Sequence, residues 1–178
     1  MAAFNKLKDY LWDNFVDKKF PANKNKYYFQ CLAATIVCLP ILMTLSLVSN
    51  EVVIVSIAST SFLVFSSPHT ERSKARYVLG GYLVGFIVGL FFYLLTLLAD
   101  KFLPLPPSYL DELFGALAIG VSIFIMLVMD LEHPPASAVA LALVINQWNI
   151  WTILVTFISL FVLLTAKYLL KNSMIELI

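Results

Sequence analysis

Charge is what this chain of 178 residues lacks most: 13% of it is Asp, Glu, Lys or Arg. A soluble domain carries roughly 25%, so about half the usual solvated surface is missing. The net charge is +1, which leaves no polyelectrolyte footprint for a nucleic acid. Cysteine is nearly absent as well. Cys31 and Cys38 are the only two, and their helical spacing cannot close a disulfide or form a metal site, so they read as small apolar packing residues. No secretory leader is visible, because the first apolar run starts only near Tyr27. Asp9, Asp13 and Asp17 before it are out of place in an organellar transit peptide.

What is present is grease, 61% hydrophobic with a mean hydropathy of +0.88. A membrane β-barrel would give a weaker, alternating signal. The expected fold is therefore all-α: a polytopic helical membrane protein with five to six membrane segments, one of them short or re-entrant. An amphipathic N-terminal helix precedes them. Over residues 4–20, Phe4, Leu7, Leu11, Phe15 and Val16 fall at helical spacing among Lys and Asp, the pattern of a helix lying on a membrane surface, with Pro21 and Asn23 ending it. Segments are then expected at about 27–48 (bent at Pro40), 52–65, 77–99, 113–129 and 150–170, with 135–145 too short for a comfortable crossing of roughly 20 residues. This divides the chain into an interfacial segment 1–26, a membrane domain 27–172 and a tail 173–178.

Basic residues cluster in the N-terminal segment, at Arg72, Lys74 and Arg76, and at Lys167 and Lys171, while the other loops hold only Lys101. Six segments with both termini cytoplasmic put every basic cluster on one side. The expected location is a bacterial cytoplasmic membrane, and the limited room inside a chain this size favours a homo-oligomer.

Gly81, Gly85 and Gly89 form overlapping GxxxG patterns that let a neighbouring helix approach closely. Ala136, Ser137 and Ala140 give the short fifth segment a comparable small face. Pairing the two would bring together the loops before them, SSPHTERSKARYVLGG (66–81) and DLEHPPASAV (130–139). Pro135 suits the first turn of a helix, and Pro134 restricts His133 to extended geometry. Amides at Ala136 and Ser137 would then face out with the positive end of the dipole behind them, an arrangement able to bind an anion. Arg72, Lys74 and Arg76 would add charge. Asp130 and Glu132 do not suit an anion; they can pair with Arg72 or Arg76 and lock the loops, or relay protons with His133, whose ordinary pKa is roughly 6.5.

The tripeptide His133–Pro134–Pro135, with Ser67–Pro68 and Arg76-x-x-x-Gly80–Gly81 upstream, resembles the HPP family of integral membrane proteins over about Phe29–Leu170. Three features depart from that pattern: Ala136 and Ser137 replace glycines, the stretch from Pro68 to Arg76 is longer, and Tyr82 replaces a frequent histidine. The resemblance implies small-anion transport, with nitrite as the candidate. Arg72, Lys74, Arg76, His133, Pro134, Pro135, Ala136 and Ser137 would bind the anion, and His133, Asp130 and Glu132 would move protons. The alternative is a non-transporting membrane module that assembles with a protein or senses anionic lipid. An enzyme is not expected, since no nucleophile has an activating base, and neither a metal nor a cofactor is called for.

Overall fold

The computed structural model describes residues 16–178 apart from 49, 50, 105 and 147. The amphipathic segment expected at 4–20 lies almost wholly outside these residues. Six helices follow: α1 (Phe20–Leu45), α2 (Glu51–Ser66), α3 (Ala75–Phe102), α4 (Pro107–Val128), α5 (Pro135–Ile145) and α6 (Ile150–Leu170). Short 3-10 turns at Glu71–Ser73 and Lys171–Ser173 precede α3 and follow α6. No strand occurs among the described residues.

Four of the helices (α1, α3, α4 and α6) are long and apolar enough to cross a bilayer. Their outward faces are carpeted with exposed apolar side chains such as Leu32, Ile36, Ile87, Phe124, Ile158 and Phe161. In water such a surface would be untenable. Against lipid it is the expected exterior.

Two helix starts differ from the sequence reading. Helix α1 begins at Phe20 rather than Tyr27 because Pro21, read as a breaker, occupies its first turn. There a missing N–H has no partner to lose. The break comes instead at Asn23 (φ −124°, ψ 22°), where two helical pieces meet. For the same reason α4 runs back to Pro107.

Hydrogen bonds fix which ends of the helices lie together. Lys26 Nζ donates to Ser173 O at 2.9 Å, and Gln30 Nε2 donates to Ile175 O at 3.0 Å and Phe65 O at 2.5 Å. Leu177 N donates to Ser66 O at 2.8 Å. The start of α1, the 66–76 loop, the end of α6 and the tail 173–178 therefore share one end, here the basic end. At the opposite end, Thr152 Oγ1 donates to Val48 O at 2.7 Å.

The short α5 is thereby resolved. It starts at the basic end, and its 11 residues rise about 16 Å, roughly half the hydrocarbon core. Asn146 and Asn149 then take extended dihedrals and carry the chain to Thr152 at the far end. Trp148 packs there edge-on to Tyr93, centroids 5.4 Å apart. Helix α5 thus accounts for about half of the hydrocarbon core, and Asn146 leaves it in extended conformation. Non-helical backbone at that depth is tolerated where protein covers it.

Helix α5 lies against the glycine stripe of α3. A Cβ at Gly85 would collide with the Ala136 carbonyl oxygen, one at Gly81 would sit 2.7 Å from His133 Cβ, and one at Gly89 2.8 Å from Ala140 O. At Gly85 and Gly89 the opposing atoms are backbone and cannot move aside, an approach that only glycine permits. Gly120 of α4 has nothing within 4 Å.

Candidate functional site

The 130–134 connection is built by a helix ending. Leu131 N donates to Met126 O at 2.8 Å and Asp130 N to Leu127 O at 3.3 Å, the paired bonds of a Schellman cap. Asp130 holds the left-handed position (φ 52°), which Asp tolerates better than most side chains. Leu131 then folds onto α3 where Gly80 leaves room for it. This places His133 directly over Gly81.

Two ion pairs bind this connection to the 66–76 loop. Arg72 Nη2 lies 3.2 Å from Glu132 Oε2, and Arg76 Nη2 lies 3.5 Å from Asp130 Oδ2. Tyr77 Oη donates to the same Asp130 oxygen at 3.2 Å. The side chains in these pairs are 40–66% exposed, so each pair is worth roughly 0–1 kcal/mol. Lys74 pairs with Glu71 at 2.5 Å. Each of the three cations expected to attract an anion thus already has an acid beside it, and Glu132 and Asp130 serve as the lock between the loops.

The open helix start expected at α5 is not there. Ala136 N donates to His133 O at 2.9 Å and Ser137 N to Pro134 O at 3.2 Å. Pro134 itself takes helical dihedrals (φ −50°, ψ −40°), so the turn begins one residue early and puts carbonyls under these amides. Ser137 Oγ also donates to Pro134 O, at 2.8 Å.

His133 has 0% exposure. Its Nδ1 lies 3.1 Å from Arg72 O and its Nε2 2.9 Å from Thr60 Oγ1. A carbonyl only accepts, so Nδ1 carries the proton and Nε2 accepts from the Thr60 hydroxyl. Tyr82 Oη stands 2.9 Å from Thr60 Oγ1 and 2.8 Å from Ser56 Oγ, and Ser56 donates to Pro135 O at 2.6 Å. The result is a satisfied polar cluster, Ser56–Tyr82–Thr60–His133, inside an apolar bundle. Burial pushes the His133 pKa down to about 4, with the bond to the Arg72 carbonyl acting in the opposite sense. The imidazole therefore stays neutral down to about pH 4, through the range below roughly 6.5 where an ordinary histidine takes up a proton.

Beside this cluster is a cavity of about 220 Å³, lined by Arg72, Ile123, Met126, Glu132, His133 and Ser137 together with Leu127 and Pro134. It gathers Arg72, Glu132, His133, Pro134 and Ser137 of the residues that the sequence singled out, while Lys74, Arg76, Asp130, Pro135 and Ala136 are not among its walls. Ser56 and Thr60, four apart on α2, and Tyr82 escaped the sequence reading as site residues. Their signal was the hydroxyl spacing and the tyrosine standing where the resemblance leads one to expect histidine.

A helical bundle with a lipid-facing apolar exterior and a buried imidazole–hydroxyl cluster defines a polytopic integral membrane protein. Residues 20–176 match the model of the HPP transmembrane region, and the chain belongs to the HPP family of membrane proteins. Comparison with curated proteins and with solved structures returned no match.

Proposed function

We propose that this protein carries a small anion across the membrane, with nitrite as the candidate and with proton linkage through His133. The observation that carries the reading is the 220 Å³ cavity, where Arg72, Glu132, Ser137 and His133 meet above a buried polar cluster. A fully buried ionisable group such as His133 is costly in a membrane protein and marks a pathway.

The closed geometry suggests how transport proceeds. An entering anion competes with Glu132 for Arg72, opening one of the two exposed ion pairs that close the basic end, taken here as cytoplasmic. A negative charge next to His133 raises its proton affinity, so anion and proton bind with mutual benefit. Protonated His133 donates from both nitrogens. Thr60 then accepts from Nε2–H and turns its own hydrogen to the Ser56 carbonyl 3.1 Å away, which reverses the polarity of the Thr60–His133 bond. A homo-oligomer would shield such a pathway in a protein of this size.

The test is uptake of nitrite, nitrate or formate into proteoliposomes across imposed pH gradients. Saturable flux that falls at least about tenfold in Arg72→Gln is expected, and an absence of flux for all three anions sinks the proposal. The pairing of Arg72 and Arg76 with Glu132 and Asp130 favours a second reading, a non-transporting assembly or sensing module, which predicts a stable co-purifying partner and no flux.

A further inference from the structure

A second cavity opens on the other side of the basic end, between the start of α3 and the end of α6. It holds about 320 Å³ and is lined by His69, Lys74, Lys167, Tyr168 and Lys171, with Leu164 beneath. Lys167 is only 8% exposed. Its ammonium donates to Ser73 O and, at 2.9 Å, to Ser73 Oγ. An ammonium has a donor to spare beyond these. Lys171 is held over the Tyr168 ring at 4.9 Å. Among the described residues, neither Lys167 nor Lys171 has a carboxylate within ion-pair distance. Glu71 pairs with Lys74 at 2.5 Å, and Glu176, whose Oε1 accepts from the His69 amide at 2.6 Å, also attracts Lys167 from beyond ion-pair distance.

A buried ammonium that feels Glu176 but has no carboxylate in ion-pair contact is an expensive feature, and an anion in the cavity would offset it. Several ammonium groups around one space suit a group with several charged oxygens better than a small monoanion held at one point. Lysine is a common point-charge partner for phosphate. The surroundings agree, since Tyr168 and Leu169 are 70% and 73% exposed at the end of a membrane helix, the depth at which phosphate headgroups lie.

We infer that Lys74, Lys167 and Lys171 form a phosphate-type anion site, separate from the His133 cavity and occupied by a lipid phosphodiester or by free phosphate. The full chain, in micelles and in nanodiscs, tests it with two probes. In dodecyl maltoside micelles, which carry no phosphate, inorganic phosphate is titrated by calorimetry; in discs of mixed phosphatidylcholine and phosphatidylglycerol, retained lipid of either kind is counted by native mass spectrometry. Phosphate binding in the phosphate-free micelles assigns the site to the free anion. Retention of either lipid without phosphate binding assigns it to the headgroup. Either signal should weaken about tenfold in Lys167→Gln, the loss of one charge-assisted bond. Lys171→Gln, an exposed change that spares folding, should weaken it measurably as well. No binding in either arm, or binding that Lys171→Gln leaves unchanged, overturns the assignment.

Discussion

On the His133 side of the basic end, Arg72 and Arg76 each face a carboxylate, and the buried imidazole has both nitrogens hydrogen-bonded. On the Lys167 side, a buried ammonium donates to serine oxygens and feels Glu176 without a carboxylate in contact, and Lys171 beside the same cavity has no ion pair either. The first arrangement satisfies its charges and polar atoms internally. The second leaves two ammonium groups without a carboxylate in contact. Under the proposed readings, similar residue types at one end of the bundle serve as a gate in one place and as a receptor in the other.

Breaking the His133 side should cost most. His133→Ala removes a fully buried ring and strands Thr60 and the Arg72 carbonyl, a loss of about 3 kcal/mol in reversible unfolding in mixed detergent and SDS. Acid should strike at the same place. The folded pKa of about 4 lies below the unfolded value of roughly 6.5, so the unfolded chain binds more protons between them. Stability is then fully present above about pH 6.5 and is lost as pH falls towards 4, by about 2 kcal/mol from pH 7 to pH 5. His133→Gln should remove this part of the pH dependence.

The seam beneath the gate offers a contrast between two glycines. Gly85→Ala drives a methyl into the Ala136 carbonyl and should cost about 1–3 kcal/mol. Gly120→Ala meets nothing within 4 Å and should be neutral or stabilising by up to about 1 kcal/mol. A double-mutant cycle on Arg72 and Glu132, measured by the same unfolding assay, should return less than about 1 kcal/mol, as fits an exposed pair meant to exchange. The smallest effect belongs to the Lys167 side. In ligand-free detergent, Lys167→Met should change stability by under about 1 kcal/mol, because an apolar isostere loses the bonds to Ser73 and also escapes the desolvation of a buried charge.

Helix α6 was readable from composition to the residue, Ile150–Leu170, since Asn149 caps it and nothing competes. The glycine stripe and the meeting of the two loops were readable because GxxxG spacing has few other uses in an apolar helix. The start of α1 was not, because Pro21 can end one helix or open the next, and only the packing of Gln30 on the tail decides. The state of His133 was hidden for a different reason: its neutrality depends on burial by α2 and α3, residues distant in sequence. Ser56, Thr60 and Tyr82 each looked ordinary alone. Lys167 and Lys171 served in the sequence only as topology markers, and nothing in their spacing shows that they flank a cavity with Lys74.

The central claim is that the cavity beside His133 is the closed mouth of an anion pathway gated by that histidine. Nitrite uptake into proteoliposomes, compared between the native chain and His133→Gln at a fixed inward proton gradient, tests it most directly. The account predicts saturable uptake that rises with the gradient in the native chain and loses that dependence in the variant. Zero uptake at every gradient, or uptake whose proton dependence survives His133→Gln intact, would contradict it.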